Sequence, residues 1–93
     1  IKAKKNTTSK DVLFKYNSIS LYCSWKKEKE ALKHLNDLEA LKKTKLFTSE
    51  EKLMYAVSLN LIADFYIVNI GLFNKEAALK KAEYYLNKAF KNL

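Results

Sequence analysis

Few side chains in this chain could take part in covalent or acid–base chemistry. Its only cysteine is Cys23 and its only histidine is His34. No serine, cysteine or carboxylate stands near His34 at a spacing that indicates catalysis, and two residues are too few for a zinc site. We therefore interpret His34 as a solvated or edge-packed side chain and Cys23 as a small buried one. We expect no catalytic residue, cofactor or metal, and no small-molecule substrate.

Adjacent carboxylates at Glu50 and Glu51 could in principle share a proton, but their position suggests another role. They fall in the first turn of a predicted helix, where negative charge suits the helix dipole. Thr48 followed three residues later by Glu51 fits a capping box, which satisfies two free backbone N–H groups. The pair therefore indicates a helix start rather than acid–base catalysis.

The chain is strongly basic, with a formal charge of +8 from eighteen lysines and no arginine. Without arginine the bidentate contacts that read guanine are missing, so we do not expect sequence-specific DNA binding. Loose attraction to nucleic acid or to an anionic membrane stays open. An AT-rich genome would also favour lysine, and the lysines of the second helix alternate with acids as on a solvated face.

Composition and length favour one small helical domain. The 93 residues are 48% hydrophobic with one glycine, Gly71, and no proline, which is typical of an all-α chain with short turns. We predict a flexible lead-in over residues 1–8 and a single domain over 9–93. The chain begins with Ile1, so we interpret it as a fragment or processed product, and nothing in it indicates a cellular location.

Apolar spacing predicts four helices in two antiparallel hairpins, over residues 11–43 and 49–92. Thr8, Ser9 and Asp11 offer start signals for the first helix, and Asn74 offers one for the fourth. Gly71 is expected to end the third helix in a left-handed turn. Residues 53–73 are apolar nearly all round, which favours a buried helix over a membrane span because Asp64 lies near the centre.

Small and large residues alternate in a distinctive way in the second hairpin. Ala82, Leu86 and Ala89 follow one another on its last helix, and Ala63, Tyr66 and Gly71 precede them. This pattern resembles the tetratricopeptide repeat, in which small side chains let two helices approach closely. A weaker copy occurs in the first hairpin, but Ala31 and Ala82 are 51 positions apart, against a family period of about 34.

The resemblance implies a groove lined by the first helix of each hairpin. Carried over residue by residue, its lining would be Tyr16 and Ser20 in the first unit and Asn60 and Asp64 in the second. The groove lacks the cationic clamp that similar repeats use for a terminal carboxylate. The resemblance also implies that Ala82 and Ala89 are close-packing positions. From the residues alone, a neighbouring lysine would pair with Asp64 instead.

Two aromatic residues outside this groove are further candidates for partner contact. Trp25 lies at a predicted turn and is either a lid on the core or an exposed anchor. Tyr84 stands among lysines, whereas Tyr85 is expected in the core. We therefore expect a non-enzymatic interaction or scaffold domain that binds another protein or a second copy. A lysine-rich module for nucleic acid or anionic membrane is the alternative.

Overall fold

The computed structural model describes residues 9–92, which form four α-helices and no strand. The helices are α1, Lys10–Ser24; α2, Glu28–Thr44; α3, Ser49–Val68; and α4, Lys75–Lys91. A short 3₁₀ turn, Ile70–Leu72, joins α3 to α4. The all-α class and the two hairpins are confirmed, whereas the predicted lead-in over residues 1–8 lies outside the described residues.

Three of the helices begin at side chains that cap them. The Ser9 hydroxyl accepts a bond from the Val12 N–H at 3.3 Å, and Asn74 accepts one from Ala77 at 3.1 Å. Thr48 and Glu51 form the complete capping box. Because each cap needs only a side chain and the backbone two or three residues later, these starts follow directly from local sequence.

The expected left-handed turn at Gly71 is wrong. Gly71 has no positive φ and lies inside the 3₁₀ turn. Lys26 takes the left-handed conformation instead, with φ 58°. The Lys26 and Lys27 N–H groups donate to the Cys23 and Tyr22 carbonyls, a Schellman arrangement that closes α1 without a glycine.

Packing within and between the hairpins buries one continuous core. In each hairpin the two helices pack together, and α3 also contacts both α1 and α2. Small residues occupy the closest approaches: Ala31, Ala63, Ala78, Ala82 and Ala89 are all buried. Tyr85 is half-buried and stacks on Tyr66 with ring centroids 6.2 Å apart, while Tyr84 is exposed. The expected packing roles of Ala82, Ala89 and Tyr85 agree with these positions.

Side-chain contacts fix the directions of the helices. The Ser9 N–H donates to Glu51 at 2.9 Å, so α1 and α3 start at the same end and run parallel. Ion pairs join Glu28 to Lys81 and Glu39 to Lys88, so α2 and α4 are also parallel to each other. One end of the bundle therefore holds the starts of α1 and α3 and the ends of α2 and α4.

The long apolar segment forms a core helix followed by a turn. Nine of the twenty residues of α3 are buried, and the helix ends at Val68. There the Asn69 amide donates to the Phe65 carbonyl at 3.0 Å. Within residues 9–92, no helix combines the length and the apolar character needed to cross a bilayer.

Candidate functional site

A cleft opens between α1 and α3 near the ends of both helices. Its volume is about 210 Å³. The lining residues are Ser20, Cys23, Ser24, Leu61, Asp64, Phe65, Val68 and Asn69. We call it the α1/α3 cleft. It contains two of the residues that the resemblance implied for a groove, Ser20 and Asp64, because α1 and α3 run parallel and bring equivalent turns side by side.

Asp64 is accessible in this cleft although its neighbours are buried. Ala63 and Phe65 face the core, which turns the carboxylate of Asp64 to solvent. The alternative expectation, a lysine paired with Asp64, is not what the structure gives: no ion pair among residues 9–92 includes it. An exposed carboxylate beside the Ser20 hydroxyl can accept hydrogen bonds from a bound molecule.

Cys23 lies in the wall of the cleft and is chemically quiet. Burial, reinforced by the negative charge of Asp64, raises the pKa of the Cys23 thiol to about 11. The thiol is therefore protonated at neutral pH, and the thiolate is the form that reacts. Cys23 is therefore not an activated nucleophile at neutral pH.

Exposed apolar side chains occur at and near the ends of α1 and α3. Val68, which lines the cleft, is 71% exposed, and Ile67 and Leu21 are exposed as well. Trp25 follows α1 directly and is 60% exposed, with its ring edge-on to Tyr22 at 6.1 Å. Of the two interpretations of Trp25, the structure gives the exposed one. Binding clefts commonly combine apolar lining with a few polar groups that fix the orientation of the bound molecule.

The other residues implied for the groove lie elsewhere. Asn60 is exposed and lines a second cleft of about 200 Å³ between α3 and α4, together with Ala56, Val57, Leu86, Ala89 and Phe90. Tyr16 is half-buried on α1, one turn before Ser20. Tyr84 is on α4, where the Lys88 ammonium lies 5.4 Å from its ring centroid. The structure therefore brings together only Ser20 and Asp64 from the candidate set.

His34 is packed between aromatic rings. It stacks on Tyr22 with centroids 5.5 Å apart and meets Phe14 edge-on at 5.9 Å. Its Nδ1 atom is buried without a hydrogen-bond partner. Burial lowers the pKa of His34, as do the charges of Lys15 and Lys33, against an opposing effect of Asp37. His34 is therefore neutral at physiological pH and acts as an aromatic packing residue.

Two polar networks that sequence reasoning missed join α2, α3 and α4. The Tyr66 hydroxyl donates to Glu28 at 2.6 Å, and Lys81 lies 3.5 Å from the same carboxylate. Eleven residues along, Glu39 repeats the arrangement by accepting bonds from Tyr55 at 2.7 Å and Lys88 at 2.6 Å. Burial first, and then the glutamate partners, raise the pKa of both tyrosines. The equal spacing of the two glutamates and two tyrosines was the available signal.

A buried carboxylate, Glu51, is the third polar feature. It accepts bonds from the Thr48 and Ser9 N–H groups and from the Lys45 ammonium. Burial alone would raise its pKa, but these donors lower it to about 2. All three donors belong to this chain, so the role of Glu51 is to hold the starts of α1 and α3 together.

Neither metal chemistry nor similarity to a known protein assigns a role to these features. Across residues 9–92, no three histidine, cysteine or carboxylate side chains are grouped so that they could hold a metal ion. No protein-family model matches the chain, and comparison with curated proteins and with solved structures gave no significant match.

Proposed function

We propose that this chain is a non-enzymatic interaction module that binds another polypeptide in the α1/α3 cleft. The observation that carries the proposal is that Ser20 and Asp64 line the same open cleft as the exposed apolar side chain of Val68. Ser20 and Asp64 would fix the orientation of the partner, and Val68 would supply buried apolar area. Cys23 and His34, both uncharged at neutral pH, suit a binding role better than a catalytic one.

The order of helix packing supports a tetratricopeptide-like arrangement. In such repeats the first helices of successive hairpins lie side by side and line the groove, and here α1 and α3 are in contact. The equivalences noted in the sequence also fit, since Ala31 and Ala82 are both buried on the second helices. The long spacing between the two hairpins is the main departure from the family pattern.

The chemistry of the cleft favours a partner that donates hydrogen bonds. The Asp64 carboxylate accepts hydrogen bonds but cannot donate them, and no lysine among residues 9–92 forms an ion pair with it. A backbone N–H, an amide or a lysine side chain would therefore complement it, with an apolar side chain against Val68. An acidic tail would meet the same negative charge, which makes it a poor ligand.

The proposal can be tested by comparing two variants of equal size and charge change. Ser20→Tyr with Asp64→Lys fills the cleft and reverses its charge. Asn17→Tyr with Glu83→Lys makes the same changes at exposed positions of α1 and α4 outside it. Immobilised proteins would capture partners from native cell extract, quantified by mass spectrometry, after circular dichroism has verified the fold of each variant.

We expect a defined partner to bind the wild type and the control variant and to be lost from the cleft variant. If the cleft variant retains every protein that the wild type captures, the α1/α3 cleft is not the binding surface. Sedimentation equilibrium of the purified chain addresses a second copy as partner. A concentration-dependent mass that only the cleft variant abolishes would identify self-association.

A further inference from the structure

The end of the bundle away from the α1/α3 cleft has a larger excess of lysines over carboxylates than the opposite end. It comprises the first turns of α1 and α3, the last turns of α2 and α4 and the loop between α2 and α3. We call it the lysine-rich end. Its seven lysines are Lys10, Lys42, Lys43, Lys45, Lys52, Lys88 and Lys91, against three carboxylates, Asp11, Glu50 and Glu51. At the opposite end, four lysines, Lys26, Lys27, Lys29 and Lys75, face three carboxylates, Glu28, Glu30 and Glu76.

Several of these lysines converge on two adjoining clefts that share Lys42. One cleft, of about 230 Å³, is lined by Glu39, Lys42, Lys43, Tyr55 and Lys88. The other, of about 280 Å³, is lined by Lys42, Lys52, Lys91 and Asn92. Lys45 and Lys88 are engaged by Glu51 and Glu39. Within residues 9–92, the remaining lysines of the two clefts make no ion pair, so their charge is available to an anionic partner.

Large apolar side chains protrude from the same end. Leu46, in the loop between α2 and α3, is 89% exposed, and Phe90, in the last turn of α4, is 74% exposed. Leu53, in the second turn of α3, is 53% exposed. Lysines stand directly beside each of them in sequence, at Lys45, Lys52 and Lys91.

We propose that the lysine-rich end docks on an anionic membrane surface. Lysines near an anionic leaflet are attracted to its headgroups, and neighbouring apolar side chains enter the boundary between headgroups and acyl chains. Leu46 and Phe90 supply the apolar part, and Lys42, Lys52 and Lys91 supply the charge. A nucleic acid would match the lysines equally, but single strands are bound by stacking successive bases on aromatic rings, and of the three exposed apolar side chains only Phe90 is aromatic.

Sedimentation of the protein with lipid vesicles tests whether the lysines of the lysine-rich end are the ones that contact the membrane. The vesicles are phosphatidylcholine with or without phosphatidylserine, and the protein is the chain itself. Each lysine near an anionic surface contributes about a fivefold change in affinity. Lys52→Gln with Lys91→Gln should therefore weaken binding about 30-fold. Lys29→Gln with Lys75→Gln, exposed in the first turns of α2 and α4 at the other end, should leave it nearly unchanged.

A second pair of variants tests the apolar contribution. Leu46→Ala with Phe90→Ala should weaken vesicle binding and leave binding to a single-stranded oligonucleotide unchanged, whereas Leu72→Ala, at an exposed position in the 3₁₀ turn of the opposite end, should alter neither. Equal losses from the two lysine pairs would overturn the proposed location. If the Leu46→Ala, Phe90→Ala variant binds vesicles as the wild type does, and the oligonucleotide displaces the protein from them, the partner is a nucleic acid and the membrane proposal is overturned. These outcomes do not depend on the α1/α3 cleft, whose own variants leave this end untouched.

Discussion

Replacing Glu51 with glutamine tests how the fold accommodates a buried charge. Glu51 is 1% exposed, and its two carboxylate oxygens face the donors of Thr48, Ser9 and Lys45 at 2.9 to 3.1 Å. In the glutamine variant an NH₂ group replaces one carboxylate oxygen, so a hydrogen-bond donor of the side chain then faces at least one of the Thr48, Ser9 and Lys45 donors. The substitution therefore removes the charge and leaves a buried donor without its acceptor.

The pKa of Glu51 gives the size of the effect. A lowering from 4.5 to about 2 corresponds to about 3 kcal/mol of stability. Because the folded state favours the charged form, this stability is complete above pH 4.5 and is lost as the pH falls toward about 2. The glutamine variant has no such group to protonate.

Urea unfolding followed by far-ultraviolet circular dichroism measures the difference. Near neutral pH we expect Glu51→Gln to lower the free energy of unfolding by about 3 kcal/mol. The gap between wild type and variant should then close as the pH falls below about 4.5. Glu76→Gln is the matched control: Glu76 is an exposed residue in the first turn of α4, so only its helix-dipole interaction of about 0.3 to 1 kcal/mol is lost.

Two results would refute this reasoning. If Glu51→Gln and Glu76→Gln unfold at the same urea concentration near neutral pH, the buried donors do not stabilise the charge as argued. If the gap between wild type and Glu51→Gln stays constant from neutral to acid pH, the variant acts through packing and not through the carboxylate.

Two further substitutions probe the turn and the polar network. Tyr66→Phe removes a buried hydroxyl from the Glu28 carboxylate while Lys81 stays paired to it. We expect the free energy of unfolding, measured in urea, to fall by about 1 to 2 kcal/mol. An unchanged midpoint would mean that this hydrogen bond is no stronger than one to water. Lys26→Gly relieves the backbone strain of a lysine in the left-handed conformation. It should stabilise the fold by about 0.5 to 1 kcal/mol and so raise the thermal midpoint. A lower midpoint would show that the lysine side chain stabilises the fold by more than the strain costs.

The helix starts could be predicted from sequence because they depend on neighbouring residues. Ser9, Thr48 and Asn74 each accept a bond from the backbone N–H three positions later. The turn after α1 could not be predicted from sequence, because Lys26 takes a left-handed conformation that its residue type disfavours. The prediction of a left-handed turn at Gly71 is wrong for the opposite reason. A glycine permits a left-handed turn without requiring one, and the Asn69 side chain bonds at the helix end instead.

The polar networks were hidden for a different reason. Glu28 and Tyr66 are 38 positions apart, and their meeting depends on the packing of α2 against α3. A charge pattern along one helix indicates which face is solvated but not which distant side chain will approach it. From the sequence, Glu28 and Glu39 are therefore predicted to be surface residues, and only the directions of α2, α3 and α4 show which tyrosines and lysines they contact.

The two candidate site residues on α3 lie in different clefts, one next to α1 and one next to α4. Asn60 and Asp64 are one turn apart and share a face of α3, yet Asp64 opens toward α1 and Asn60 toward α4. A partner that follows the exposed face of α3 would contact both clefts, so Asn60 and Asp64 would belong to one extended site. Val68 and Lys52, near opposite ends of α3, are about 24 Å apart along its axis. A membrane at the lysine-rich end would therefore leave the α1/α3 cleft open to a second partner.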